Sequence, residues 1–135
     1  MAFNEQTGVL TVEGFYDWDR TDDFKAPWYS YSEKIKTAKV KVKNLTDFSF
    51  MFAECRNLTS VDFSESDTSK VTNFSHMFFN CTSLETVNLK GITTNAGTDF
   101  TSMFENCVNL KELDLSKFVI GENAKTDDFF DCTYG

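Results

Sequence analysis

The sequence has few of the residues that break up chains or carry common catalysis: one proline, six glycines and one histidine. So little proline and glycine excludes a long disordered linker. His76 has no fixed serine or cysteine partner, and there is no glycine-rich phosphate loop, His-Glu-x-x-His pair or nucleophile elbow. No apolar stretch reaches the length of a membrane span. We therefore predict one domain that is not an enzyme, uses no cofactor and does not insert into a membrane.

Positive charge is also scarce, with 13 Lys and Arg residues against 21 Asp and Glu residues and a formal net charge of −8. This balance argues against a nucleic-acid partner, because phosphates require a basic surface. The lysines between Lys34 and Lys43 alternate with apolar residues, which is typical of one face of a strand. The acidic run Asp17–Asp23 is typical of a solvated loop.

Repetition is what the sequence has in abundance. The phrase Phe-x-x-Met-Phe-x-x-Cys occurs three times at an interval of 26 residues, and Leu-x-x-Val/Leu-Asp/Asn-Phe/Leu follows each copy. The copies are Phe48–Cys55, Phe74–Cys81 and Phe100–Cys107, followed by Leu58–Phe63, Leu84–Leu89 and Leu110–Leu115. A pair of elements that recurs at a constant interval is typical of a solenoid with one continuous core.

The first phrase has the period of a helix. Its apolar residues fall at i, i+3, i+4 and i+7, as in Phe74–Cys81, and so share one stripe of a short helix. Before each copy stands a residue of a type that caps helix N-termini. These predicted N-caps are Asp47, Asn73 and Asp99.

The second phrase alternates as a half-exposed strand does, with Leu58, Val61 and Phe63 directed to the core. A strand and a helix per unit predict an α/β solenoid: a right-handed leucine-rich-repeat coil with short parallel strands on the concave side and short helices on the convex side. We expect the concave face to bind the partner, with a merely solvated polar face as the alternative. The predicted binding residues are Lys39, Ser60, Asp62, Ser64, Thr86, Asn88, Lys90, Glu112, Asp114 and Ser116.

The Met-Phe-x-x-Cys-x-x-Leu pattern, with Asp67–Asn73 between units, resembles the repeats of BspA-like leucine-rich-repeat surface proteins over roughly residues 44–132. The resemblance implies a recognition and adhesion domain, at the cell surface or secreted, that binds a protein or glycan on a host or neighbouring cell. It implies no catalytic residues. The chain as given starts without an export signal. An intracellular or virion location is therefore the alternative, with self-association as a structural component of a virion or surface layer.

We predict that residues 1–34 form an N-terminal β/aromatic capping module and residues 35–135 about four coils of the solenoid, in one continuous domain. The aromatic residues of the module either cap the first coil or act as binding hot spots. They are Tyr16, Trp18, Trp28, Tyr29 and Tyr31. At the other end, Lys125 and Asp128 replace the expected Phe and Met, which suits a polar terminal unit.

One cysteine stands at an equivalent place in each unit, and the intervals match no zinc-ligand spacing. Parallel inward side chains do not converge as a disulfide requires. We therefore predict buried, unpaired thiols that pack as small hydrophobes, with a disulfide framework as the alternative. They are Cys55, Cys81, Cys107 and Cys132. No metal site is predicted, because the outward Asp and Asn residues lack a glycine-bracketed calcium loop.

Overall fold

The computed structural model describes residues 1–14 and 26–131. In these residues, five short strands form one mixed sheet in the order β1-β2-β3-β4-β5. β1 runs antiparallel to β2, and the other neighbouring strands are parallel. The elements are β1 (Ala2–Asn4), β2 (Val9–Glu13), a 3-10 helix (Tyr29–Tyr31), β3 (Thr37–Lys41), β4 (Ser60–Asp62) and β5 (Thr86–Asn88).

The predicted leucine-rich-repeat solenoid is wrong. The described residues contain no α-helix, so the short helices expected on a convex side are not present there. The fold is instead a small five-stranded mixed sheet, and its inner side chains share one core with residues from turns.

Backbone hydrogen bonds explain why a helical period gives no helix. The N–H groups of Met51, Ala53 and Cys55 each donate to the carbonyl three residues earlier, which closes successive turns. The N–H groups between them donate to the next unit instead. These bonds join Phe48 to Asn73, Phe50 to Ser75, Phe52 to Met77 and Glu54 to Phe79. Phe50 and Glu54 have φ of 59° and 67°, values that a right-handed helix does not contain.

The same arrangement recurs, and we call it the turn ladder: segments 47–55, 73–81, 99–107 and 125–131, bonded side by side. Positive φ recurs in the later segments at His76, Asn80, Ser102, Asn106 and Asp128. The predicted N-caps Asp47, Asn73 and Asp99 begin these segments, so their assignment to helices is wrong. Their side-chain oxygens accept the N–H of the residue two places on, at 2.8, 2.9 and 3.0 Å. This is the Asx-turn, which offers the backbone an alternative to a helix.

The core lies between the inner face of the sheet and the turn ladder. Leu58, Val61 and Phe63 are buried, which confirms the predicted inward direction of these residues. A column of stacked rings runs across the units, and we call it the ring column. It consists of Trp28, Phe52, Phe78, Phe104 and Phe130, with successive centroids 6.1, 5.8, 5.2 and 5.6 Å apart.

Trp28 covers the first end of the ring column. It is buried, and its Nε1–H donates to the Met51 carbonyl at 2.8 Å. Tyr31 stacks on Phe3 of β1, with ring centroids 4.7 Å apart. The predictions for Tyr16, Trp18, Asp17–Asp23 and Cys132 lie outside the described residues.

The last segment has a register one residue away from that predicted. The Phe100 N–H donates to the Lys125 carbonyl, and Lys125 bridges Asp99. Lys125 therefore matches Asp99, and Asp128 matches Ser102, since both have φ of 56°. The prediction that Lys125 and Asp128 replace a Phe and a Met is wrong for this reason.

Candidate functional site

The predicted binding residues lie on the outer side of the sheet and its continuation, which we call the exposed sheet face. Strand pairing sets Lys39, Asp62 and Asn88 opposite one another. It also aligns Thr37, Ser60 and Thr86, and an isolated bridge adds Glu112 beside Thr86. Ser64, Lys90, Asp114 and Ser116 lie outside the strands. None of the ten predicted side chains is buried.

The three Asp and Asn residues predicted to bind a partner already have a structural role. The Oδ1 atoms of Asp62, Asn88 and Asp114 accept the N–H groups of Ser64, Lys90 and Ser116 at 2.8, 3.1 and 2.9 Å. The bond from the Ser64 N–H lowers the pKa of the Asp62 carboxyl, and bonds from Ser116 lower that of Asp114. One oxygen of each of these side chains therefore holds an Asx-turn after the strand.

Lys39 is held by a residue that sequence reasoning missed. Its Nζ lies 3.0 Å from a Glu65 carboxylate oxygen, and Lys41 lies 3.7 Å from the same oxygen. The hydrogen bond between Lys39 and Glu65 raises the pKa of the lysine and lowers that of the glutamate. Glu65 stands 26 residues after Lys39, so the repeat interval was a signal that could have found this pair.

A row of three short hydroxyl side chains crosses the exposed sheet face. We call Thr37, Ser60 and Thr86 the hydroxyl row. Neighbours in the row are directly opposite in the strand register, at the usual spacing of about 4.8 Å. Their hydroxyl groups make no hydrogen bond to any other residue in ranges 1–14 and 26–131. They line an open groove of 510 Å³ together with Val9, Ala38, Lys39, Val61, Asp62, Val87 and Asn88.

The cysteines lie in the core, away from the exposed sheet face. The prediction of buried thiols is confirmed for Cys55, Cys81 and Cys107. The Sγ–H groups of Cys81 and Cys107 donate to the carbonyls of Phe52 and Phe78 at 3.0 and 3.1 Å. Burial raises the pKa of Cys55 to about 12 and that of Cys81 well above the ordinary thiol value. These groups are therefore protonated and unreactive at neutral pH.

Two searches of the described ranges found neither of the features sought. No group of three or more His, Cys, Asp and Glu residues there is arranged to hold a metal ion. No helix there is long and apolar enough to span a bilayer.

These observations define a small sheet-rich domain of 26-residue units, with a polar exposed sheet face and a turn ladder on the other side of the core. A family described as "Mycoplasma protein of unknown function, DUF285" matches residues 22–134, and the chain belongs to this family. No curated protein and no solved structure matches the chain.

The family match leaves the functional predictions as they were. The resemblance to BspA-like proteins stays a prediction, as do the partner class, the lack of enzymatic activity and the location. The leucine-rich-repeat architecture expected from that resemblance is excluded by the sheet and turn ladder. Neither the fold nor the family description supports adhesion to cells.

Proposed function

We propose that the domain is a non-enzymatic recognition module whose exposed sheet face binds a protein or glycan partner along the hydroxyl row. The observation that carries the proposal is the set of three unengaged hydroxyl groups on adjacent parallel strands. A hydroxyl both donates and accepts, so a regularly spaced row can pair with the peptide groups of a protein or the hydroxyl groups of a glycan. The charged side chains beside the row then select among such partners.

The charges beside the hydroxyl row support a specific orientation of the partner. Lys39 stands on β3 and Asp62 on the neighbouring β4, so charges of opposite sign flank the groove. Glu65 holds Lys39 in place, and the Ser64 N–H holds Asp62. Side chains that are already ordered lose little conformational entropy on binding.

The test is the variant Thr37→Ala/Ser60→Ala/Thr86→Ala. Screens against defined glycans and against displayed protein fragments supply ligands for titration with the purified domain. Loss of two or three hydrogen bonds should weaken a ligand of this face by about tenfold or more. Urea unfolding should be nearly unchanged, because these hydroxyl groups support no other residue in the described ranges.

A matched control separates this face from the rest of the surface. Thr82→Ala/Ser83→Ala removes two half-buried hydroxyl groups that precede β5 and do not line the groove. Ligands of the exposed sheet face should bind this variant as they bind the unaltered chain. A set of ligands that all bind the triple variant as tightly as the unaltered chain would overturn the proposal.

A further inference from the structure

The turn ladder has a direction. At each of its three junctions, four N–H groups of the lower-numbered segment donate to carbonyls of the higher-numbered one. The last junction joins Phe100, Ser102, Phe104 and Asn106 to the carbonyls of Lys125, Asp127, Phe129 and Asp131. Every segment therefore offers only donors toward the C-terminal side of the ladder.

The final segment, 125–131, has nothing to receive its donors. The equivalent N–H groups are those of Thr126, Asp128 and Phe130, and they have no acceptor among the described residues. Unpaired N–H groups along an edge invite pairing with another chain. We call these three groups the donor edge.

The ring column is open at the same end. Trp28, at the first end, is only 1% exposed, whereas Phe130 is 49% exposed although it stacks on Phe104. An aromatic ring left half in water gains from a covering apolar group. The first end of the column is thus closed by Trp28, and no described residue covers Phe130 in the same way.

A third unpaired group lies beside this end. Asn80 Nδ2–H donates to Glu54, and Asn106 Nδ2–H donates to Asn80, each at 3.0 Å. The Oδ1 of Asn106 is the next acceptor in this line, and it is buried without a partner in a residue that is 9% exposed. A buried amide oxygen without a donor costs free energy that a partner can recover.

We propose that the donor edge docks an extended segment of a partner protein. The segment presents main-chain carbonyls at alternate residues, an apolar side chain for Phe130 and a side-chain amide for the Oδ1 of Asn106. The carboxylates of Asp127, Asp128 and Asp131 favour a neutral or basic segment over an acidic one. This surface is separate from the exposed sheet face and does not depend on it.

Hydrogen-bond polarity argues against a second copy of the chain as the occupant. Two donor edges placed against each other bring donors to donors. The carbonyl side of the ladder, which could complement the donor edge, has its Met51 carbonyl already bonded to Trp28. A second copy would have to displace that indole.

The probe is a synthetic peptide with the sequence of residues 99–110 and Cys107→Ser, because this stretch already presents the required carbonyls to segment 73–81. Hydrogen exchange is followed amide by amide by NMR on the full chain. At saturation, the amides of Thr126, Asp128 and Phe130 should exchange at least about tenfold more slowly. A scrambled peptide should leave them unchanged, and absence of protection with the native-order peptide at millimolar concentration would overturn the proposal.

Two variants complete the experiment. Phe130→Ser should weaken peptide binding by about tenfold, since it removes the apolar contact. Val108→Ser, at a residue exposed to a similar degree (46%), should leave binding unchanged. Equal weakening by both would contradict docking at this edge. Protection of the three amides that grows with protein concentration, without peptide, would assign the edge to a second copy and overturn the partner segment.

Discussion

His76 lies flat on Phe50, with ring centroids 4.5 Å apart and ring planes 4° apart. The two residues occupy matching places in neighbouring segments of the turn ladder, with φ of 54° and 59°. The imidazole is half-buried, and its Nδ1 has no hydrogen-bond partner in the described part of the chain. The neutral ring therefore acts as an aromatic packing group.

This stacking makes stability depend on pH. Burial lowers the pKa of His76 below its ordinary 6.5, and the charges of Glu105 and Asp99 oppose this shift less strongly. Because the unfolded chain takes up the proton at higher pH than the folded chain, this contribution is full above about pH 6.5. It is lost as the pH falls through the folded pKa.

His76→Phe should remove that part of the acid sensitivity, since phenylalanine already occupies the matching place at Phe50. Urea midpoints at about pH 7.5 and about pH 5 measure it in both proteins. The carboxylates titrate alike in the two, so the difference between the two drops isolates His76. An equal drop in both proteins would contradict the assignment.

The Asx-turn at Asp62 predicts a different response from amide and from alanine. Asp62→Asn should keep the bond to the Ser64 N–H, because Asn88 makes the matching bond to Lys90. Asp62→Ala should lose about 0.5–1 kcal/mol, a modest figure because the site is largely exposed to solvent. Chemical unfolding of the two variants measures this, and equal stability of both would show that the turn does not need the side-chain oxygen.

The ring column predicts a steep dependence on position. Phe78 is fully buried between Phe52 and Phe104, so Phe78→Ala should cost about 3–5 kcal/mol. Phe130→Ala in the same column should cost less than about 1.5 kcal/mol, because half of that ring is already in water. Thermal or urea unfolding gives both values, and similar losses for the two variants would contradict the stacking order.

A close backbone approach predicts that Gly91 tolerates no side chain. A Cβ there would lie 2.1 Å from the Phe63 carbonyl oxygen and 2.9 Å from that of Ser66. Gly91→Ala should therefore cost about 2 kcal/mol or more. Gly121→Ala is the control, since a Cβ at Gly121 meets no atom within 4 Å. Stability of the two variants within about 0.5 kcal/mol of each other would refute the crowding at Gly91.

The sequence was informative wherever a pattern reports only on burial. Alternation in Leu58–Phe63 correctly assigned the inward side of β4, and the recurring cysteines were correctly placed in the core. Burial follows from side-chain chemistry and from a period of two, which eight residues suffice to show.

Secondary structure of the first phrase could not be predicted in the same way. Eight residues with apolar positions at i, i+3, i+4 and i+7 fit a helix, and they also fit successive turns with positive φ at Phe50 and Glu54. What decides between them is whether the N–H groups of Phe48 and Phe52 bond within the segment or to Asn73 and Met77. That choice depends on a neighbour 26 residues away, which local periodicity does not record.

The candidate site was predicted in its direction but not in its bonding. Asp62 and Asn88 do face outward, yet each holds an Asx-turn, for which the spacing Asp62-x-Ser64 was the overlooked signal. Thr37 was missed from the hydroxyl row because it stands 23 residues before Ser60, outside the repeat interval. Strand register, which the interval alone does not give, brings it into the row.

Because every second amide in the turn ladder is committed to the adjacent segment, no segment can satisfy its own backbone. A peptide of one unit would leave half of these donors to water, so it should have no stable shape when it is alone. The same bookkeeping makes length a discrete variable in the chain's evolution and engineering. Excising or duplicating 26 consecutive residues preserves every cross-connection, whereas a change of any other size shifts all downstream partners out of place.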